Sequence, residues 1–129
     1  MIKNIAILGS TGSIGRNVLE VVRQFPERFR VVGLAAGNNI ALLREQLEAF
    51  NPSLISVADA ALAGELAQSL PASWSGRIVA GVEGNKQVAT MPEADTVVSA
   101  IVGAAGLVPT VAAGGAGKDL ALANKETLV

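Results

Sequence analysis

An apolar run, Ile5-Ala6-Ile7-Leu8, breaks into Gly9-Ser10-Thr11-Gly12-Ser13-Ile14-Gly15 and then into an amphipathic stretch. Few folds accommodate a strand that turns on glycine directly into a helix. The start of such a helix leaves backbone N–H groups without intrahelical partners. The macrodipole adds partial positive charge at the same place, so the turn is an anion site. Glycine permits both the sharp turn and the close approach of a pyrophosphate to the main chain. The spacing is GxxGxxG rather than the GxGxxG of the usual dinucleotide fingerprint. The segment reads as the phosphate cradle of a dinucleotide-binding domain; a glycine-rich turn with no ligand would have the same sequence.

Downstream, apolar runs alternate with helical patterns. Ile14, Val18, Val21, Val22 and Phe25 recur at helical spacing and are expected to line one helix face, which Pro26 ends. Ile40, Leu43, Leu47 and Phe50 mark a second helix, capped by Asn39 and broken by Asn51-Pro52. Leu62, Leu66 and Leu70 mark a third behind Asp59, residues 84–90 a weak fourth, and a fifth is expected from about Leu107, with the Gly114-Gly115 pair disfavouring it locally. Strands are expected at residues 4–8, 30–36, 54–57, 77–80, 96–99 and 120–123, and a loop at 71–76. This order predicts an α/β fold, a doubly wound Rossmann-like parallel sheet with helices on both faces.

Composition fits that fold and narrows the function. The 129 residues suffice for one domain, residues 1–129. The apolar half is Ala, Val, Leu and Ile, with three Phe, one Trp and no Tyr, which suits a parallel sheet under helices. Ten basic residues against eleven acidic ones, with no basic patch, argue against a nucleic-acid partner. Cys and His are absent, which removes disulfides, thiolate nucleophiles, imidazole bases and the usual zinc ligands. No apolar run is long enough for a membrane span, and the chain opens directly on its first strand, so a cytoplasmic protein without a leader is expected.

Right-handed crossovers would bring residues 9–15, 37–39, 99–106 and 124–126 to one sheet edge, where open α/β sheets bind ligands. After the second strand, NAD sites carry an acid that holds the ribose 2′-hydroxyl. Here Ala35-Ala36-Gly37-Asn38-Asn39 offers no carboxylate. A carboxylate would repel a 2′-phosphate, so its absence favours NADP over NAD. Asn38 and Asn39 can donate neutral amide hydrogen bonds, and they suit a turn and a helix cap equally well. The small side chains from Ser99 to Gly106 leave room for a flat nicotinamide, or simply for a tight connection. At Asn124-Lys125-Glu126, Lys125 can hold a phosphate or polarise a hydroxyl, while Asn124 and Glu126 can bond ribose or amide groups; a solvated turn has the same composition.

Taken together, Ile7 to Gly15, Leu34 to Asn39, Val98 to Thr110 and the ending Gly117-Lys118 through Leu128-Val129 resemble the N-terminal domain of the 1-deoxy-D-xylulose 5-phosphate reductoisomerase family. The resemblance implies that Thr11, Gly12, Ser13 and Ile14 contact NADPH phosphates. It implies that Gly37, Asn38 and Asn39 surround the 2′-phosphate, that Asn124 and Glu126 bind NADPH near the nicotinamide, and that Lys125 binds the sugar phosphate substrate. The implied reaction rearranges 1-deoxy-D-xylulose 5-phosphate and reduces it with NADPH to 2-C-methyl-D-erythritol 4-phosphate, an isoprenoid precursor. Mg²⁺ or Mn²⁺ serves the complete enzyme as Lewis acid, and the complete enzyme is a homodimer. The metal-binding carboxylates are implied to lie past Val129, in domains this chain lacks. No metal ligand or firmly catalytic residue is therefore expected in these residues, and the chain alone is expected to be an inactive fragment. Two other readings fit the first motif: another NADP-dependent reductase, such as a homoserine or aspartate-semialdehyde dehydrogenase, and a non-catalytic nucleotide-sensing module. The aspartate-semialdehyde enzyme needs a nucleophilic Cys that is absent here.

Overall fold

The computed structural model describes residues 2–100 and the backbone of residues 119–122. Strand β1 (Lys3–Leu8) enters helix α1 (Ser13–Gln24), followed by β2 (Phe29–Ala35) and α2 (Ile40–Phe50). Next come β3 (Leu54–Val57), α3 (Ala60–Gln68), β4 (Ile78–Ala80) and α4 (Gly81–Thr90), then β5 (Thr96–Ser99) and β6 (Asp119–Leu122). The strands pair in parallel in the order β4-β3-β2-β1-β5-β6. The sheet grows outward from β1 to β4, then α4 carries the chain back across it to β5. Reversing the direction of a right-handed crossover moves the connecting helix to the other face of the sheet.

Alternation along the strands divides the core accordingly. Ile5 and Ile7 join Val18, Leu19 and Val22 of α1, Leu43 and Leu47 of α2, and Leu66 of α3 in one apolar cluster. Ala6 and Leu8 point the other way, into a second cluster with Val88 and Ala89 of α4, Met91 and Val97. The predicted doubly wound sheet with helices on both faces is therefore the fold of the described residues. Gly33 makes the second face possible. A Cβ there would lie 2.6 Å from Met91 Sδ and 3.2 Å from Val88 Cγ1, so glycine lets α4 lie close on β2. The β1–β2 register shifts between Ile5 and Ala6, opposite this position.

The helix ends follow local chemistry. Asn39 Oδ1 accepts from the Leu42 N–H, and Asp59 Oδ1 accepts from the Leu62 N–H, so both expected caps form. Asn51 closes α2 in the left-handed region at φ 49°, and its N–H donates to the Leu47 carbonyl. Arg77 then ties this corner to the sheet edge. Its Nη1 donates to Asn51 Oδ1 at 2.9 Å, and its guanidinium lies 4.5 Å from the centre of the Trp74 ring.

Three expectations require correction. On α1, Val21 and Phe25 are exposed, at 48% and 39%, whereas Leu19 is buried at 4%. The buried stripe is Gly15, Val18, Leu19 and Val22, because the tight seat of the first turn fixes the helix's rotation. The expected loop at 71–76 contains a 3₁₀ helix, Ala72–Arg77. The fourth helix starts at Gly81 rather than Gly84, directly on the end of β4. The expected fifth helix and the Gly114-Gly115 pair lie outside the described residues.

Because Leu47 is fully buried between α2 and the sheet, Leu47→Ala is expected to cost about 3 kcal/mol in urea unfolding. Val21→Ala is expected to cost less than about 0.5 kcal/mol in the same measurement.

Candidate functional site

The turn after β1 is held from three sides. Gly9 adopts φ 87°, a left-handed conformation that favours glycine. The N–H groups of Gly9 and Ser10 both donate to the Ala35 carbonyl, at 2.7 and 3.0 Å, which ties the turn to the end of β2. The Ser10 carbonyl accepts from Gln46 Nε2 of α2 at 2.8 Å. Helix α1 then seats directly on the turn. A Cβ at Gly15 would fall 2.1 Å from the Gly9 carbonyl oxygen and 2.8 Å from Ser10 Cα. No L side chain fits there, so the last glycine of GxxGxxG sets how close the helix start comes to the strand end.

This packing leaves donors facing outward. Among the described residues, no protein acceptor takes the N–H groups of Thr11, Ser13 or Ile14. Gly12 occupies the N-cap position without a side-chain cap, and no acidic residue sits in the first turn of α1. The positive end of the helix dipole is thus uncompensated and its donors are unfilled, the arrangement that binds a phosphate.

A crevice of about 510 Å³ opens in front of these donors. Gly9, Thr11 and Gly12 form one wall, and Ala35, Ala36 and Gly37 at the end of β2 form the floor. A Cβ added at Gly37 would meet nothing within 4 Å, so this backbone is open to a ligand. Among the described residues, no charged side chain lines the crevice. Ala100, just past β5, closes the side nearest the point where strand order reverses between β1 and β5. Ligands of open α/β sheets bind at such switch points. A second, shallower groove of about 680 Å³ runs along α2, with Arg44, Glu45 and Glu48 on its rim. It runs past the start of α2, which the Asn39 side chain caps, and carries the carboxylates of Glu45 and Glu48, so the glycine crevice is the better candidate for an anion.

The structure brings Thr11, Gly12 and Gly37 together in this crevice. Ser13 and Ile14 begin α1 beside it; the Ile14 side chain packs on the core, so its backbone N–H is the group available to a ligand. Asn38 is exposed in the turn before α2. Asn39 caps α2 through Oδ1 and lines the α2 groove instead of the crevice, which leaves its amide nitrogen as its donor. Asn124, Lys125 and Glu126 lie outside the described residues, as does the segment 101–106.

Sequence reasoning missed the fourth wall: Ala58 after β3, and Gly81, Val82 and Asn85 of α4. The signal was present as Ala80-Gly81, one more strand end running into a helix, with Gly81 at φ 72°. Asn85 is held by Ser56, whose Oγ donates to Asn85 Oδ1 at 2.7 Å. Gly84 permits this approach, since a Cβ there would lie 2.7 Å from Ser56 Oγ. Among the described residues, no three His, Cys, Asp or Glu side chains come together as a metal site, and no helix is long and apolar enough to cross a membrane.

Residues 5–129 match the family model for 1-deoxy-D-xylulose 5-phosphate reductoisomerase. A protein of that name from Citrifermentans bemidjiense is 58% identical over 98% of this chain and 33% of its own length. The chloroplastic one from Oryza sativa is 52% identical over 98% of this chain and 27% of its own length. Among solved structures, a DOX-P reductoisomerase in complex with NADPH, fosmidomycin and magnesium superposes with a TM-score of 0.89 at 41% identity, covering 98% of this chain and 31% of the other. The Zymomonas mobilis reductoisomerase in complex with NADPH gives 0.83 at 34%, covering 98% and 33%. The chain thus spans about a third of the length of the relatives it matches.

Gly15→Ala tests the seat of α1. Its Cβ would collide with backbone, which cannot move aside cheaply, so a loss of about 3 kcal/mol is expected in chemical denaturation. Gly37→Ala, in open space, should stay within about 1 kcal/mol of the parent.

Proposed function

The chain belongs to the 1-deoxy-D-xylulose 5-phosphate reductoisomerase family, and from that premise we propose that residues 1–129 form the NADPH-binding domain of such an enzyme. One observation carries this reading: the N–H groups of Thr11, Ser13 and Ile14, unfilled among the described residues, border a crevice that crosses the end of β2 without meeting a carboxylate among those residues. In this reading the pyrophosphate lies on residues Thr11, Gly12, Ser13 and Ile14. The adenosine 2′-phosphate lies toward Gly37, Asn38 and Asn39, which offer it amides and backbone. Asn124 and Glu126 hold the nicotinamide end, and Lys125 holds the phosphate of the sugar substrate.

NADPH supplies the hydride when bound. This chain's own residues bind and orient it and keep its reactive end at the β1–β5 switch point. The complete enzyme would rearrange and reduce 1-deoxy-D-xylulose 5-phosphate to 2-C-methyl-D-erythritol 4-phosphate. Mg²⁺ or Mn²⁺ would be held by residues other than those described. A homodimeric, cytoplasmic enzyme acting on a sugar phosphate, without nucleic-acid or membrane partners, completes the proposal. Family membership sets aside the homoserine and aspartate-semialdehyde dehydrogenase readings. No observation favours a purely sensory module.

Titration of the 129-residue chain with NADPH and NADH tests the cofactor assignment. NADPH is expected to bind at least about 10-fold tighter, and Gly37→Asp to narrow that ratio by placing a carboxylate beside the 2′-phosphate. Equal or tighter binding of NADH by the parent chain would contradict the proposal, as would turnover by residues 1–129 alone. In the complete enzyme, Lys125→Ala is expected to lower kcat/KM by about 30-fold or more with NADPH affinity retained, since it removes a charge facing a phosphate. An indifferent variant would remove Lys125 from the substrate site.

A further inference from the structure

We propose that Gln46 is a positioning residue for the cofactor pyrophosphate: it fixes the Ser10 carbonyl inward and thereby aims the Thr11 N–H at the ligand. This rests on the cofactor reading above and deepens it. Gln46 sits in the middle of α2, 6% exposed, on a stripe otherwise made of Leu43 and Leu47. A glutamine at that position sacrifices apolar packing and needs a hydrogen-bonding reason. Its partner is a backbone carbonyl 36 residues away, Ser10 O, at 2.8 Å. A carbonyl only accepts, so the atom facing it is the amide nitrogen of Gln46.

The consequence follows from the geometry of one peptide group. The Ser10 carbonyl and the Thr11 N–H belong to the same planar trans unit and point in opposite directions. Holding the carbonyl against α2 sends the N–H away from α2, toward the crevice that Thr11 lines. The Thr11 N–H has no protein acceptor among the described residues. The N–H groups of Gly9 and Ser10 are already committed to the Ala35 carbonyl, so they fix the turn's anchor but leave the next peptide plane to rotate. Gln46 sets that rotation. Among the described residues, Gln46 Nε2 is the one side-chain donor bonded to the Ser10 carbonyl, and Ser10 Oγ and Gln46 Oε1 are buried beside it without partners.

The test uses Gln46→Met, which keeps length and loses the donor, and Gln46→Glu, whose carboxylate can only accept. NADPH affinity of the chain is expected to fall about 10-fold in Gln46→Met and further in Gln46→Glu, the size of a lost buried hydrogen bond amplified by an unpaired carbonyl. Binding of 2′-AMP, which carries the 2′-phosphate but no pyrophosphate, should stay within about 2-fold. In ligand-free chain, the Thr11 amide resonance should shift and broaden in both variants while the amides of α3 stay put. A parent chain that binds no NADPH overturns the cofactor reading and this proposal with it. A parent that binds, with a Gln46→Met variant that binds NADPH equally well, overturns the positioning role alone. Equal losses for NADPH and 2′-AMP, or an unmoved Thr11 amide, overturn it too, since a general loosening of the fold would account for the first and an independent loop for the second.

Discussion

The contact between the first turn of α1 and the Gly9 carbonyl governs this domain. With a Cβ at Gly15 placed only 2.1 Å from that oxygen, the helix is seated as close to the strand end as two backbones allow. Three properties follow from the one approach. The helix rotation is fixed, which puts Leu19 rather than Val21 into the core. The open donors of Thr11, Ser13 and Ile14 are brought to the sheet edge rather than held a side chain's width above it. The β1 carbonyl end is covered, so the anion site is backed by protein and its dipole acts through a medium less screening than water.

The sheet turns that local feature into a site. Strand order reverses between β1 and β5, and helices α1 to α3 lie on one face while α4 lies on the other. Open α/β sheets bind ligands in the crevice at the strand ends beside such a reversal. Gly33 and Gly84 serve the same architecture from the far side: each lets α4 lie directly on a strand, against Met91 and Val88 in one case and Ser56 in the other. The last of these contacts brings Asn85 within reach of Ser56 and makes α4 a wall of the crevice. Close helix-on-sheet packing, made by glycines on both faces, therefore shapes the cavity as much as the glycine-rich turn does.

Much of this was legible in the sequence because it depends on near neighbours. The β1-turn-α1 unit, the Asn39 and Asp59 caps, and the break at Asn51-Pro52 all rest on chemistry within four residues, and each appears as expected. The alternation of runs was enough for a doubly wound sheet. What escaped depends on distant partners. Val21 and Phe25 fit a helical apolar stripe as well as Leu19 does, and only the Gly15 contact decides between them. Gln46 reads as one more polar residue on an exposed helix, because its partner lies at the other end of a crossover. Asn85 and Gly81 were hidden for a similar reason: the start of α4 carries no capping side chain. The four residues from Ala123 to Glu126 made the family resemblance sharp, yet their placement lies outside the described residues.

The composition of the crevice bears on how such a site can discriminate. With no charged side chain among the described residues that line it, this part of the crevice offers a dinucleotide main-chain N–H groups, the α1 dipole and amides. Main-chain donors keep their chemistry when side chains change, so the residues at positions 11 and 13 can vary without removing the open N–H groups themselves. What they cannot supply is strong preference between a 2′-hydroxyl and a 2′-phosphate, which is set by what stands after β2. There the chain has Gly37 in open space and two asparagines, one of which already spends its oxygen on capping α2. In the proposed reading, discrimination at this point works chiefly by the omission of a carboxylate, while the Gln46 contact beneath the turn sets the peptide plane that faces the crevice.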